Sequence, residues 1–376
     1  MLNKNIQIKF NGSDKPTLGL ELELFTVDKN SLSLTNGAPK ILSNFCSNNF
    51  FKRELLECII EITTDVCNDV DEIYNDIRPK IDMAIEFSKD NNFELLSMPI
   101  HPFAKVCDQK ISDDKRYTDF LDRMQWPLRR LLISGIHVHV GVESGEKAIA
   151  IINGMKRYIP YFIALSANSP FFEGENTGLA STRTKIFEGL PNTGIPERLR
   201  NYSEFQKFMR TLIKANSIDS IREIWWDIRP HPGFGTVEIR ICDSIPNLMD
   251  IKDLTAFCQA LVVGLSRHYD NGTQLPYLDN WILYENKWRA TRYGIDADLI
   301  IDEDGKQVSI RSEIINTINN LCDVVNELNL GESMDRLINR VKKGHAFYKD
   351  QISVFNQRKD LKDVIIKDIG VLKNDK

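Results

Sequence analysis

Alternation of apolar and polar positions picks out a small set of strands. In GLELELF, residues 19–25, Leu20, Leu22 and Leu24 point to one face and Glu21 and Glu23 to the other, because strand side chains alternate with period two. ECIIEIT places Glu57, Ile59 and Glu61 opposite Cys58, Ile60 and Ile62. GIHVHVGV places His137 and His139 opposite Ile136, Val138 and Val140, and GTVEIRIC places Glu238 and Arg240 opposite Val237, Ile239 and Ile241. Strand-like runs are therefore expected at 17–27, 56–63, 93–98, 133–142 and 236–242. Helical spacing runs through Val70, Ile73, Ile77, Ile81, Ala84 and Ile85, with Pro79 expected to kink or divide that helix. Further helices are expected near 146–165, 203–215, 251–268, 309–328 and 332–345. Strands in the first two thirds and helices in the last predict an α+β chain, with helices covering one face of a largely antiparallel sheet.

The polar faces of these strands are unusual. A solvated strand face draws on Thr, Lys, Arg and Gln, whereas these four carry acids, two histidines and one arginine, without a lysine. Two carboxylates about 6–7 Å apart on one strand repel, and like charges opposite one another on neighbouring strands destabilise a sheet. Divalent cations remove that repulsion. Carboxylates suit Mg²⁺ or Mn²⁺, and a neutral imidazole suits Mn²⁺ or another transition ion. A metal-lined concave face follows. Glu54, three residues before Glu57, breaks the alternation and could reach the same cavity from the start of its strand. His101, in SMPIHPFA, sits in a proline-flanked turn where a structural and a functional role are equally open.

Composition narrows the field. The chain has 376 residues, net charge −5 and 27% charged residues, values of an ordinary globular protein without a basic tract for nucleic acid. The N-terminal MLNKNIQIKFNGSDK does not read as a signal peptide, and no apolar run is long enough for a membrane span. Seven scattered cysteines without a C-x-x-C pair suit reduced thiols, hence a cytoplasmic location. No P-loop, dinucleotide fingerprint, H-E-x-x-H or G-x-S-x-G pattern occurs. The stretch 166–196 is long and rich in Gly, Asn, Ser, Thr and Pro. Its Phe, Ile and Leu residues argue for a functional loop rather than a disordered one.

The blocks GLELELF, ELLECIIEITTDVC, GIHVHVGV, ALSANSPFF, WDIRPHPGFGTVEIRICD and ENKWRATRYGIDA, in this order and spacing, resemble the type 2 glutamate–cysteine ligase family. These are carboxylate–amine ligases of the glutamine synthetase superfamily. The resemblance spans about 17–300. It implies an open antiparallel sheet whose concave face holds ATP and two or three Mg²⁺ or Mn²⁺ ions, in one catalytic domain over 1–376 with a mostly helical part from about 300. Carried over residue by residue, it assigns Glu21, Glu23, Glu54, Glu61, His137 and Glu238 to metals, with Glu238 and Arg240 catalytic. His139 and Glu57 share those faces as further metal or substrate candidates. Arg183, Lys185 and Arg292 are candidates for substrate or nucleotide. Leu22 stands where relatives often have a third acid, but it points to the opposite face. The implied reaction activates a carboxylate, glutamate first among candidates, as an acyl phosphate with release of ADP. An amine, with cysteine the best-known acceptor, then attacks, as in the glutathione pathway. A metal-dependent phosphohydrolase and a non-catalytic cation or small-molecule binder are the alternatives. A homodimer is the prior expectation for assembly.

Overall fold

The computed structural model describes residues 8–374. The opening MLNKNIQ of the N-terminal stretch therefore lies outside the described residues. Among those described, seven strands form one sheet: β1 Leu18–Asp28, β2 Phe51–Arg53, β3 Ile59–Thr63, β4 Phe93–Leu96, β5 Gly135–Gly141, β6 Ile228–His231 and β7 Thr236–Asp243. Their order is β6–β7–β5–β1–β3–β2, and β4 pairs with the far end of β1. Every pairing in this sheet is antiparallel. The expected α+β architecture is the observed one.

The apolar face of each strand goes to one core. Leu20, Leu22, Ile60, Ile62, Val138, Val140, Val237 and Ile239 are all buried against a helical layer. That layer includes α1 (Val70–Asp90) through Ile73, Ile77 and Ile81, α2 (Gly145–Met155) through Ile151, and α5 (Leu248–Asp270) through Leu254 and Phe257. Here α3 is Ile159–Ser166 and α4 is Thr182–Phe187. Each such aliphatic side chain contributes about 1.5–3 kcal/mol on burial, so this layer fixes which face of the sheet is left for chemistry. Val138→Asp would put an unpaired charge at its centre.

Pro79 does not divide α1, which runs unbroken from Val70 to Asp90. Pro79 lies on the exposed side, and burial of Ile73 and Ile77 before it and Ile81 and Ala84 after it holds both halves to the same core. The run expected at 146–165 does break, into α2 and α3 around a short 3₁₀ turn with Pro160 in the first turn of α3. The run at 309–328 separates into Ile310–Asn320 and Cys322–Glu327. The longer helices that escaped the pattern are Lys115–Met124, α6 (Asn280–Tyr293), Phe347–Arg358 and Leu361–Asn374. The 166–196 stretch carries α4 and is tied down at Asp243, whose carboxylate accepts from Asn168 N–H and from the Ser169 and Ser181 hydroxyls.

Candidate functional site

Strand register decides which ionisable groups meet. Glu21 stands opposite His137 and Glu23 opposite Glu61, while His139 is paired with Glu238 and Glu238 with Arg229. One band of charge therefore crosses β6, β7, β5, β1 and β3 on the face away from the helical layer.

Within the band the contacts are close. His137 Nδ1 is 2.8 Å from Glu21 Oε2, and its Nε2 is 4.0 Å from Glu23 Oε1. His139 Nε2 lies 3.3 Å from Glu21 Oε1, and its Nδ1 is 2.9 Å from Thr236 Oγ1. Glu23 Oε2 accepts the Gly135 N–H at 2.7 Å. Glu238 is held from two sides: Arg229 forks onto it at 2.6 and 3.2 Å, and Arg240 Nη1 pairs with its Oε1. Arg229 was not foreseen. Pro230 disguises β6 as a loop, yet Arg229 and His231 alternate onto the site face just as the other charged residues do.

The electrostatics divide the acids into two groups. Burial works to raise the Glu238 carboxyl, but the charges of Arg229 and Arg240, then His139 and His137, hold it well below the usual range. Glu21 follows the same pattern: burial opposes ionisation, and contacts with His137 and His139 overcome it. Burial and the neighbouring Arg240 push His137 down to about 4, leaving a neutral imidazole suited to ligation. In the other group burial and neighbouring acids outweigh the nearby cations. Burial, then the charge of Glu54, raises Glu23 to about 8 despite Arg183, Arg240 and the Gly135 N–H. Glu61 is raised well above its ordinary value by burial and by Glu21, Glu54 and Glu23, and it shares a side-chain hydrogen bond with Glu54. Burial also raises Glu54, which stands between β2 and β3.

Among the described residues, two sets of donors could hold a cation. Ligand atoms of Glu21, His137 and Glu238 lie within 4.8 Å of one another, as do those of Glu23, Glu61 and His137. Hard carboxylates with one imidazole are the donor chemistry of Mg²⁺ and Mn²⁺. The second set contains the acids with raised proton affinity, where a divalent charge relieves most repulsion. Glu54 adjoins this set through Glu61.

The remaining candidates separate from the band. The strand carrying Glu61 begins only at Ile59, and Glu57, before it, pairs with Lys110 at 2.8 Å rather than with the other acids. Its inclusion on the metal face is thereby corrected. Arg183 is buried beneath the band and bonds backbone carbonyls, so it is not a free phosphate contact. Lys185 pairs with Glu188 at 2.6 Å beside Trp288. Arg292 is exposed and lies over the Tyr293 ring. His101 takes the structural option: it is fully buried, with Nε2 2.8 Å from Leu32 O and Nδ1 accepting from Ala104 N–H. Burial lowers it to about 4.

The family model of glutamate–cysteine ligase family 2 matches residues 17–364. A protein of Thermobifida fusca described as "Putative glutamate–cysteine ligase 2" is 40% identical over 364 residues, covering 95% of this chain and 91% of that protein. A Mycobacterium tuberculosis protein with the same description is 37% identical over 360 residues, covering 96% of each. Among solved structures, a glutamate–cysteine ligase from Francisella tularensis in complex with AMP superposes with TM-score 0.71 at 14% identity, covering 97% of this chain and 90% of that one. A bifunctional glutathione synthetase from Pasteurella multocida gives 0.70 at 12% identity, covering 96% of this chain and 52% of that one. These last two show a shared fold.

Proposed function

The chain belongs to glutamate–cysteine ligase family 2, and from that premise we propose that it is an ATP-dependent, ADP-forming carboxylate–amine ligase acting on glutamate and an amine such as cysteine. The observation that carries this reading is the band of Glu21, Glu23, Glu61, His137 and Glu238, with two three-residue donor sets meeting at His137. Glu21, His137 and Glu238 would hold one cation, and Glu23 and Glu61, with Glu54 close by, another. Bound there, divalent cations supply charge neutralisation for phosphate oxygens and for the substrate carboxylate.

The chain's own residues do the placing. Phosphoryl transfer to a carboxylate needs little covalent help from a protein, so orientation and charge stabilisation decide its rate. Arg240 is the cation best placed for an anion: it stands on the site face, 3.4 Å from His137 Nδ1, and its planar guanidinium suits a carboxylate or the migrating phosphoryl group. Arg229 keeps Glu238 ionised and fixed while Arg240 works. Gly135 N–H fixes the rotamer of Glu23. The activated acyl phosphate is then open to the amine, with phosphate as leaving group.

We read the chain as a single catalytic unit. Support comes from the C-terminal helices, which bond the segment beneath the site: Gln351 donates to Asn168 O at 2.6 Å and Arg340 to Leu165 O at 3.1 Å. No helix among the described residues is long and apolar enough to cross a membrane, in keeping with small soluble substrates.

The test is nucleotide release under controlled substrate supply. ADP and phosphate should form only when ATP, Mg²⁺ or Mn²⁺, glutamate and an accepting amine are all present, and a screen of amino acids and simple amines should reveal the acceptor. ADP formation independent of any amine would point instead to a phosphohydrolase, and absence of turnover across the screen to a binding protein.

A further inference from the structure

The pairing of β7 with β5 contains an irregularity directly beside the site. Ile239 pairs with Val138 and Cys242 with Ile136, so two residues of β7, Arg240 and Ile241, stand opposite the single His137. This is a β-bulge, which re-aims side chains and leaves part of the ladder unbonded. The Arg240 N–H turns away from β5 and donates to Asp227 O at 2.8 Å.

The carbonyls of the bulge have one partner in common. Arg183 Nη2 donates to Arg240 O at 3.2 Å and Nη1 to Ile241 O at 3.1 Å. The side chain is 2% exposed by residue and comes from α4, whose N-cap Ser181 is tied to Asp243. Arg183 Nη1 is itself 4.0 Å from Asp243 Oδ1. Space for the guanidinium is made by Gly135. A Cβ built on Gly135 would lie 2.2 Å from Arg183 Nη2 and 2.8 Å from its Cζ. One glycine therefore both gives its N–H to Glu23 and leaves room for the arginine that holds the bulge.

We infer that Arg183 is a positioning residue for Arg240: its fork clamps the two bulge carbonyls, and the clamp aims the Arg240 guanidinium at the reacting anion. The inference rests on the ligase reading above. A fork can bond two adjacent carbonyls at once, whereas a lysine ammonium is a point donor without that geometry. Because Glu21, Glu23, Glu61 and His137 come from other strands, and Glu238 is held by Arg229 ahead of the bulge, loss of the clamp displaces Arg240 without dismantling the cation donors. A misplacement on the order of 1 Å costs about 10²-fold in rate when a group must meet a transition state.

The experiment uses the full chain carrying Arg183→Lys, Arg183→Gln or Gly135→Ala, the last chosen because its added methyl drives the guanidinium off the carbonyls while the arginine and the backbone N–H that Glu23 accepts both remain. In each folded variant kcat should fall by about 10–100-fold, KM for ATP and glutamate should move by less than about threefold, and Mn²⁺ affinity read by electron paramagnetic resonance should also stay within about threefold. Hydrogen exchange over residues 236–243 should accelerate, a readout that needs no turnover and so survives failure of the ligase reading. The Gly135→Ala/Arg183→Lys double variant should lose little more than either single one, since both remove the same clamp. Near-normal kcat in the folded variants would overturn the proposal. So would a fall in Mn²⁺ affinity as large as the fall in kcat, which would make Arg183 a support of the whole site. If neither Arg183 variant folds, Gly135→Ala decides by the same criteria, and unchanged exchange over 236–243 in that variant overturns the clamp.

Discussion

Glu23 of β1 faces Glu61 of β3 directly across an antiparallel pairing, two carboxylates on the same face of neighbouring strands. Cross-strand like charges oppose sheet formation, and both groups are raised by burial and by their acidic neighbours. Stability and cation binding are therefore linked at this pair. Millimolar Mg²⁺ or Mn²⁺ should raise the melting temperature and a chelator should lower it. Glu61→Gln should melt at or above the wild type without metal, since a buried acid that resists ionisation is replaced by a neutral amide, and should respond less to added Mn²⁺. Thermal melts across a metal titration check both; an unresponsive wild type, with ATP present, would remove the cation from this face.

Arg240→Lys keeps the positive charge and loses the fork. Turnover should drop by about 10²-fold or more, taking removal of a transition-state donor as the guide. The fold should persist, because Val237, Ile239 and Ile241 carry the packing of β7. Steady-state kinetics alongside a melt separate the two effects, and a folded variant with near-normal turnover would place Arg240 outside the chemistry.

The fate of an oxygen atom tests the acyl phosphate. A glutamate labelled with ¹⁸O in the reacting carboxylate should deliver one label to the released phosphate, because that oxygen bridges carbon and phosphorus in the intermediate. The nucleotide product should be ADP. AMP with pyrophosphate, or unlabelled phosphate from an amide-forming turnover, would rule the intermediate out.

Asp368, in the last helix, is buried near Asn168, Asp350 and Lys367. Burial raises it from 3.8 to about 7, with Lys367 lowering it and Asp350 raising it further. The sign follows from the folded value lying above the unfolded one. Its neutral form costs nothing below pH 4, and stability is lost as pH rises from about 4 through 7, at about 1.4 kcal/mol per unit at most. Asp368→Asn should therefore melt several degrees above the wild type at pH 8 and together with it at pH 4. Equal melting temperatures at pH 8 would show that the carboxylate is stabilised by its surroundings.

Much of the site was legible because strand alternation is a local property. It sorted Glu21, Glu23, Glu61, His137, His139, Glu238 and Arg240 onto one side before any partner was known, and the register then joined them. Glu57 shows the limit of that reasoning: its parity matched Glu61, but the strand starts two residues later and Lys110 takes the side chain. Arg229 was hidden because Pro230 weakens the strand signal, and the role of Arg183 depends on a bulge, a one-residue mismatch between distant strands that no single segment encodes. Pro79 shows the opposite case: α1 continues through it undivided, because tertiary burial on both sides holds the helix together. Fold class was carried by periodicity. The site's fine structure was carried by long-range pairing.

The same long-range pairing sets a schedule for biosynthesis. The central strand β5 joins β1 to β7, so the donor set Glu21–His137–Glu238 draws on segments more than a hundred residues apart at each step. A ribosome-bound chain that ends before β7 holds Glu23, Glu61 and His137 but cannot complete the set Glu21–His137–Glu238. The latter set is completed only late in translation, once Thr236–Asp243 has cleared the exit tunnel, and a cation held there would fasten the first strand of the sheet to the last.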